Sequence, residues 1–229
     1  FEKEVADTVS FGGRSYPFLL VNAKPPADPA VFDVRKGDRV RLRIINSAAD
    51  TAFRFAVDGH KLIVTHNDGM PVEPVETDTI RIGMAERYDV IIEANSPGIA
   101  QMGFLPEGKN GFGRALMRYV DAPDTTVPPV DAKPAELEKR LLTYDSLVST
   151  FPAKVARGSV PDRVYNLTLH HTNIDVEGLE PDEPMMVSEG EIIRFNIRNE
   201  SDNWHPMHMH GHHFHLANAG RPLKHTAII

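Results

Sequence analysis

Over residues 1–120 the chain alternates short apolar runs with polar turn text. The runs fall at 16–21, 31–34, 39–45, 53–57, 62–65, 79–82, 88–93 and 115–120. In Arg39-Val40-Arg41-Leu42-Arg43-Ile44 polar and apolar residues alternate singly, the period of a strand with one wet and one buried face. The gaps carry Lys24-Pro25-Pro26, Lys36-Gly37-Asp38, Asp58-Gly59, Asp68-Gly69-Met70-Pro71 and Ser96-Pro97-Gly98, residues suited to turns and unsuited to strand interiors. Short strands at this spacing predict an all-β sandwich.

The pattern stops at residues 122–134 (APDTTVPPVDAKP), which are Pro-rich and lack apolar periodicity, so a linker is expected there. Residues 134–142 (PAELEKRLL) predict a short helix, with Pro near its start and acidic residues in its first turn. Strand text resumes near 164–169 (VYNLTL) and continues to the end. The expected organisation is one β domain over 1–121, a linker with a short helix over 122–160, and a second β domain over 161–229.

The two domains read as copies. Residues 34–46 (VRKGDRVRLRIIN) align with 187–199 (VSEGEIIRFNIRN), 58–62 (DGHKL) with 210–214 (HGHHF), and 78–82 (DTIRI) with 225–229 (HTAII). His60 and His212 share a Gly-His context, which makes His212 structural; ligand candidates are then the histidines that only the second copy has. Residues 83–119 of the first copy have no counterpart after Ile229, so the second domain is expected to be incomplete.

Composition narrows the functions. The chain has 229 residues, 41% hydrophobic and 25% charged, an ordinary globular balance. Its net charge of −7 has the wrong sign for a nucleic-acid partner. No run approaches the ~18 apolar residues of a membrane span. The absence of Cys excludes disulfides, thiolate metal sites and Cys nucleophiles within this chain. No Ser-His-Asp elbow, phosphate loop or dinucleotide fingerprint is present.

Of the 11 histidines, His205, His208, His210, His212, His213, His215 and His225 crowd the C-terminal end. Imidazole suits copper and zinc. Along a strand His208 and His210 share one face and His205 takes the other, so one segment can serve two centres. Pro206 cannot donate to a ladder, which places the segment at an edge or bulge. Taken alone, the H-x-H pair also fits a single zinc or copper site, and several His and Met in a strand can simply pack or face water. His66, beside a turn, and His170-His171 are better read as structural, and Met207 and Met209 as packing. The acidic stretches at 136–139 and 177–183 are expected on the solvated surface. Asn166 matches a glycosylation acceptor, but in a predicted strand.

The text HPMHMHGHHFHL (205–216) resembles the third copper-binding motif of multicopper oxidases. Residues 10–120 resemble that family's middle, copper-free domain, through 41–46 (RLRIIN), 68–72 (DGMPV) and 82–90 (IGMAERYDV). The resemblance implies two cupredoxin-like Greek-key sandwiches, the second cut short. It implies His205 as a type 1 copper ligand, His208 as a type 2 ligand and His210 as a type 3 ligand of the trinuclear cluster, with no catalytic residue apart from metal ligands. The implied activity is one-electron oxidation of a phenol, aromatic amine or metal ion, coupled to reduction of dioxygen to water, in an extracytoplasmic protein. The family's H-C-H motif and first-domain H-x-H pairs are absent, so the chain is expected to be a fragment, inactive alone, that can associate through unfinished sheet edges. The competing expectation is a non-catalytic cupredoxin-like module that binds one copper or zinc, or a structural or assembly protein.

Overall fold

The computed structural model describes residues 19–153, 155–156, 158–218 and 220–229, so the first half of the expected run at 16–21 falls outside the described residues. Its first part contains β1 (Ala30–Val34), β2 (Arg39–Ile45), β3 (Phe53–Val57), β4 (Leu62–Asn67), β5 (Met70–Thr77), β6 (Thr79–Ile82), β7 (Arg87–Glu93), β8 (Ile99–Pro106), β9 (Gly113–Tyr119) and β10 (Leu141–Leu142). One sheet runs β1-β9-β8-β3-β6-β10 and the other β2-β7-β4-β5. Phe55 and Val57 of the first sheet and Leu62, Val64, Val90 and Ile92 of the second are all fully buried in one cluster. Each such side chain contributes roughly 1.5–3 kcal/mol relative to exposure. The fold is all-β, a sandwich in this part.

Two strands lacked a sequence signal. β5 (MPVEPVET) holds Pro71 and Pro74, yet lies at the edge of its sheet, where a missing donor is tolerated. β8 (IAQMGFLP) shows no alternation because it runs between β3 and β9 with most of its residues buried. Its Gly103 is required by packing: a Cβ there would lie 2.8 Å from both Phe112 Cζ and Pro134 Cδ.

The helix expected over 134–142 is instead a single 3₁₀ turn, Ala135–Glu138, followed by β10, which pairs in parallel with β6. Leu137, Leu142 and Leu147 are buried, and their five-residue spacing matches no α-helical face. Pro134 begins the turn and Lys139 is already extended. Glu136, expected on the surface, is buried and paired with Lys139 Nζ at 2.9 Å. A second 3₁₀ turn, Tyr144–Ser146, brings Tyr144 against the C-terminal strands.

The C-terminal part holds β11 (Arg163–Leu169), β12 (Ile174–Val176), β13 (Ile193–Asn199), β14 (Pro206–His208), β15 (Phe214–His215), β16 (Leu223–Lys224) and β17 (Thr226–Ile228). The order is β12-β11-β13, with β14 paired to β17 and β15 to β16. The repeat read from the sequence extends to hydrogen bonds. Arg35 N donates to Asp38 Oδ2 and Ser188 N to Glu191 Oε2, both at 2.8 Å. Asn46 Nδ2 donates to Ile82 O at 3.1 Å, and Asn199 Nδ2 to Ile229 O at 2.9 Å. His60 N reaches Val57 O, and His212 N reaches Met209 O, across turns whose Gly59 and Gly211 both have positive φ.

Candidate metal centre

Residues 205–210 form an edge segment, because β14 pairs with β17 alone. Burial alternates along it: His205, Met207 and Met209 are half-buried, while Pro206, His208 and His210 are exposed. Strand pairing ends at His208, and His210 lies in the turn that Gly211 completes. The turn still brings the His208 and His210 rings to a centroid separation of 5.1 Å.

His225 lies 4.2 Å from His208 and 5.3 Å from His213, ring to ring. Aligned with Asp78, His225 is one of the histidines that only the second copy has. Its Nδ1 lies 3.4 Å from Arg87 Nη1, and burial, then the neighbouring His208 and Arg87, hold its pKa below the ordinary 6.5, so the ring stays neutral. Its backbone carbonyl matters more, because it accepts the Nδ1–H of His208 at 2.8 Å. That bond leaves Nε2 as the ring's lone-pair nitrogen.

His205 is held in the opposite sense. Its Nε2 lies 2.7 Å from Ser201 Oγ, and that hydroxyl donates to Asn199 Oδ1 at 2.8 Å. The ring therefore donates through Nε2 and keeps its lone pair on Nδ1. In the first copy the Asn46 side chain caps Ala48 as Asn199 caps Ser201, so the hydroxyl belongs to the second copy alone. Comparison of the copies could have found it.

The structural histidines contrast with these. His60 is buried, with Nδ1 on Asp58 O and Nε2 on Tyr119 O–H, each at 2.6 Å, so both nitrogens are engaged. His66 contacts Thr65 Oγ1, His170 pairs with Asp175, and His171 contacts Asn203. His212 is exposed at its turn. Among the described residues no three His, Asp or Glu side chains converge on one metal position. The exposed His208 and His210 lie on one side of the segment and the half-buried His205 on the other.

A β sandwich is thus followed by a related β unit whose edge segment carries His205 on its half-buried side and His208 and His210 on its exposed side. The chain belongs to the multicopper oxidase family: models described as multicopper oxidase match residues 3–122 and 153–227. It is 37% identical over 243 residues to Multicopper oxidase MmcO of Mycobacterium tuberculosis, covering 100% of this chain and 47% of that protein. It is 26% identical over 241 residues to Laccase-4 of Thanatephorus cucumeris, covering 85% and 45%. The structure resembles that of Fet3p, described as a multicopper oxidase that functions in iron import, with TM-score 0.66, 18% identity, and coverage of 87% and 50%; this likeness speaks for the cupredoxin-like fold alone. The chain spans about half the length of these relatives. No described helix is long and apolar enough to cross a membrane.

Proposed function

We propose that the chain supplies the copper-free middle unit (1–121), the connecting segment (122–160) and the first part of the copper-binding unit (161–229) of a multicopper oxidase. His205 is a type 1 ligand through Nδ1; His208, through Nε2, and His210 serve the type 2 and type 3 positions. The observation that carries this reading is that the two rings are held by opposite nitrogens, Nε2 of His205 on Ser201 Oγ and Nδ1 of His208 on the His225 carbonyl, on opposite faces of one segment. An imidazole donor set of this kind suits copper. Copper bound there supplies one-electron redox chemistry that couples oxidation of a phenol, aromatic amine or metal ion to reduction of dioxygen to water. The chain's own residues hold the rings: Ser201 fixes the proton of His205 at Nε2, and the His225 carbonyl fixes that of His208 at Nδ1. The remaining donors come from outside the described residues, and the whole protein works outside the cytoplasm.

Calorimetric titration of Cu(II) and Zn(II) into the metal-free chain tests the assignment. His208→Ala and His210→Ala are expected to weaken binding more than tenfold, and His212→Ala to leave it unchanged. Unaltered binding in the His208→Ala/His210→Ala double variant would refute it. The 5.1 Å approach of His208 and His210 within one chain also supports a second reading, a module that binds one copper or zinc. Tight one-to-one zinc binding by the chain alone, undiminished in His205→Ala, would favour that module. Without Cys the chain by itself is expected to show neither blue absorption nor oxidase turnover.

A further inference from the structure

We infer that Asp68, in the first half of the chain, is a positioning residue for His208 and acts through one peptide bond of the C-terminal segment. The inference rests on the reading of His208 as a metal ligand. Asp68 occupies the first position of the two-residue Asp68-Gly69 hairpin turn between β4 and β5, with φ +47° and +82° at its two residues. Such turns ordinarily face water, but here the Asp68 side chain is fully buried.

Its carboxylate faces four donors. Oδ1 accepts from Arg87 N at 3.0 Å; Oδ2 accepts from His225 N at 3.0 Å and Thr226 N at 3.2 Å, and pairs with Lys224 Nζ at 3.2 Å. The N–H of Thr226 and the C=O of His225 belong to the same peptide unit. Asp68 therefore takes that unit's proton side while His208 Nδ1–H donates to its oxygen side at 2.8 Å. A carboxylate on the N–H polarises the peptide and makes its carbonyl a stronger acceptor. A stronger acceptor on Nδ1–H fixes the tautomer and raises the basicity of Nε2, which is the role a carboxylate plays when it bonds a metal-bound histidine directly. Here a peptide is interposed, and the carboxylate comes from the other copy of the repeat. Glu86, Tyr144 and Tyr88 surround Lys224 and hold the ammonium against Asp68.

The test is long-range proton–nitrogen correlation NMR on the metal-free chain with ¹⁵N-labelled histidine, at a pH where the rings are neutral. In the unaltered chain His208 is expected as the Nδ1–H tautomer, a result that needs no variant to fold; an Nε2–H tautomer there would overturn the inference. Asp68→Asn keeps the turn but offers one acceptor oxygen in place of two, and Asp68→Gly removes both. Each is expected to move His208 toward Nε2–H and to weaken Zn(II) binding about 10- to 100-fold. In a second, uniformly ¹⁵N-labelled sample, the backbone signals of β11 and β13 report whether the variants stay folded. If they stay folded with the His208 tautomer unchanged, Asp68 has no positioning role. If the tautomer behaves as expected but His208→Ala leaves zinc affinity intact, the positioning stands and the ligand reading fails.

Discussion

Lys224→Met removes one ammonium from a site with no access to water. Lys224 is fully buried, its Nζ 2.7 Å from Glu86 Oε1 and 3.2 Å from Asp68 Oδ2, with the Tyr88 and Tyr144 ring centroids at 5.3 and 5.0 Å. Glu86 also accepts Tyr144 O–H at 2.5 Å and Gly83 N–H at 2.6 Å, and Tyr144 Oη accepts Ile228 N–H at 3.0 Å. Burial first, and the Glu86 carboxylate second, push the Tyr144 phenol well above its ordinary range, so it stays protonated and donates. Methionine matches the lysine stem, so the variant loses charge rather than packing. Of the two buried carboxylates, Asp68 then keeps the half-exposed Arg87 at 3.7 Å, and Glu86 keeps the neutral donors Tyr144 O–H and Gly83 N–H. Stranding a buried charge in this way costs about 3–5 kcal/mol. At roughly 2–4 °C per kcal/mol for a chain of this size, Tm falls by about 6–20 °C. Urea unfolding of both proteins, compared at equal slope, gives the difference directly. Lys224→Met/Glu86→Gln removes one stranded charge and is expected to recover at least half of the loss. A loss below about 1 kcal/mol in the single variant, or a larger loss in the double, would refute the claim that this lysine neutralises a buried pair.

Other substitutions probe how the C-terminal segment docks and how the first sandwich is held. A Cβ added at Gly83 would lie 2.0 Å from Ile228 Cγ2, so Gly83→Ala is expected to cost about 1–3 kcal/mol, and a double-mutant cycle with Ile228→Ala should show positive coupling by urea denaturation. Tyr119→Phe leaves His60 Nε2 and Ser96 N without their shared partner and is expected to lower unfolding free energy by about 1–3 kcal/mol; no change would mean that water replaces the hydroxyl. The hydrogen bond from Lys61, helped by the Arg140 N–H, holds the Asp78 carboxyl below its ordinary 3.8, so the pair adds stability above that pH and loses it as pH falls through the lower folded value. Lys61→Met should therefore cost at most about 1 kcal/mol at neutral pH, with a deficit that shrinks below about pH 4; a deficit constant with pH would point to lost packing instead.

The strands of the first sandwich were legible wherever one face is wet. β2, β3 and β6 match their apolar runs residue for residue, and in β2 the alternation of the text is the alternation of burial. β8 was illegible for the converse reason, and β5 because its prolines signal a turn until the sheet shows that they sit on an edge. The linker misled in a different way: its leucines serve the sheet edge at β6 rather than a helix of their own, a fact that depends on residues some sixty positions upstream. In the site, the histidines of the edge segment were legible from their spacing, and Ser201 was within reach by comparing the copies. Asp68, Glu86 and Lys224 were not. Each looks like surface in its local text, and the contact that buries them joins positions separated by 138 residues or more. Local pattern specifies which face of a strand a ring takes. The nitrogen that carries its proton is set by the partner each ring meets: Ser201, four positions away, for His205, and the His225 carbonyl, 17 positions away beside the paired strand, for His208.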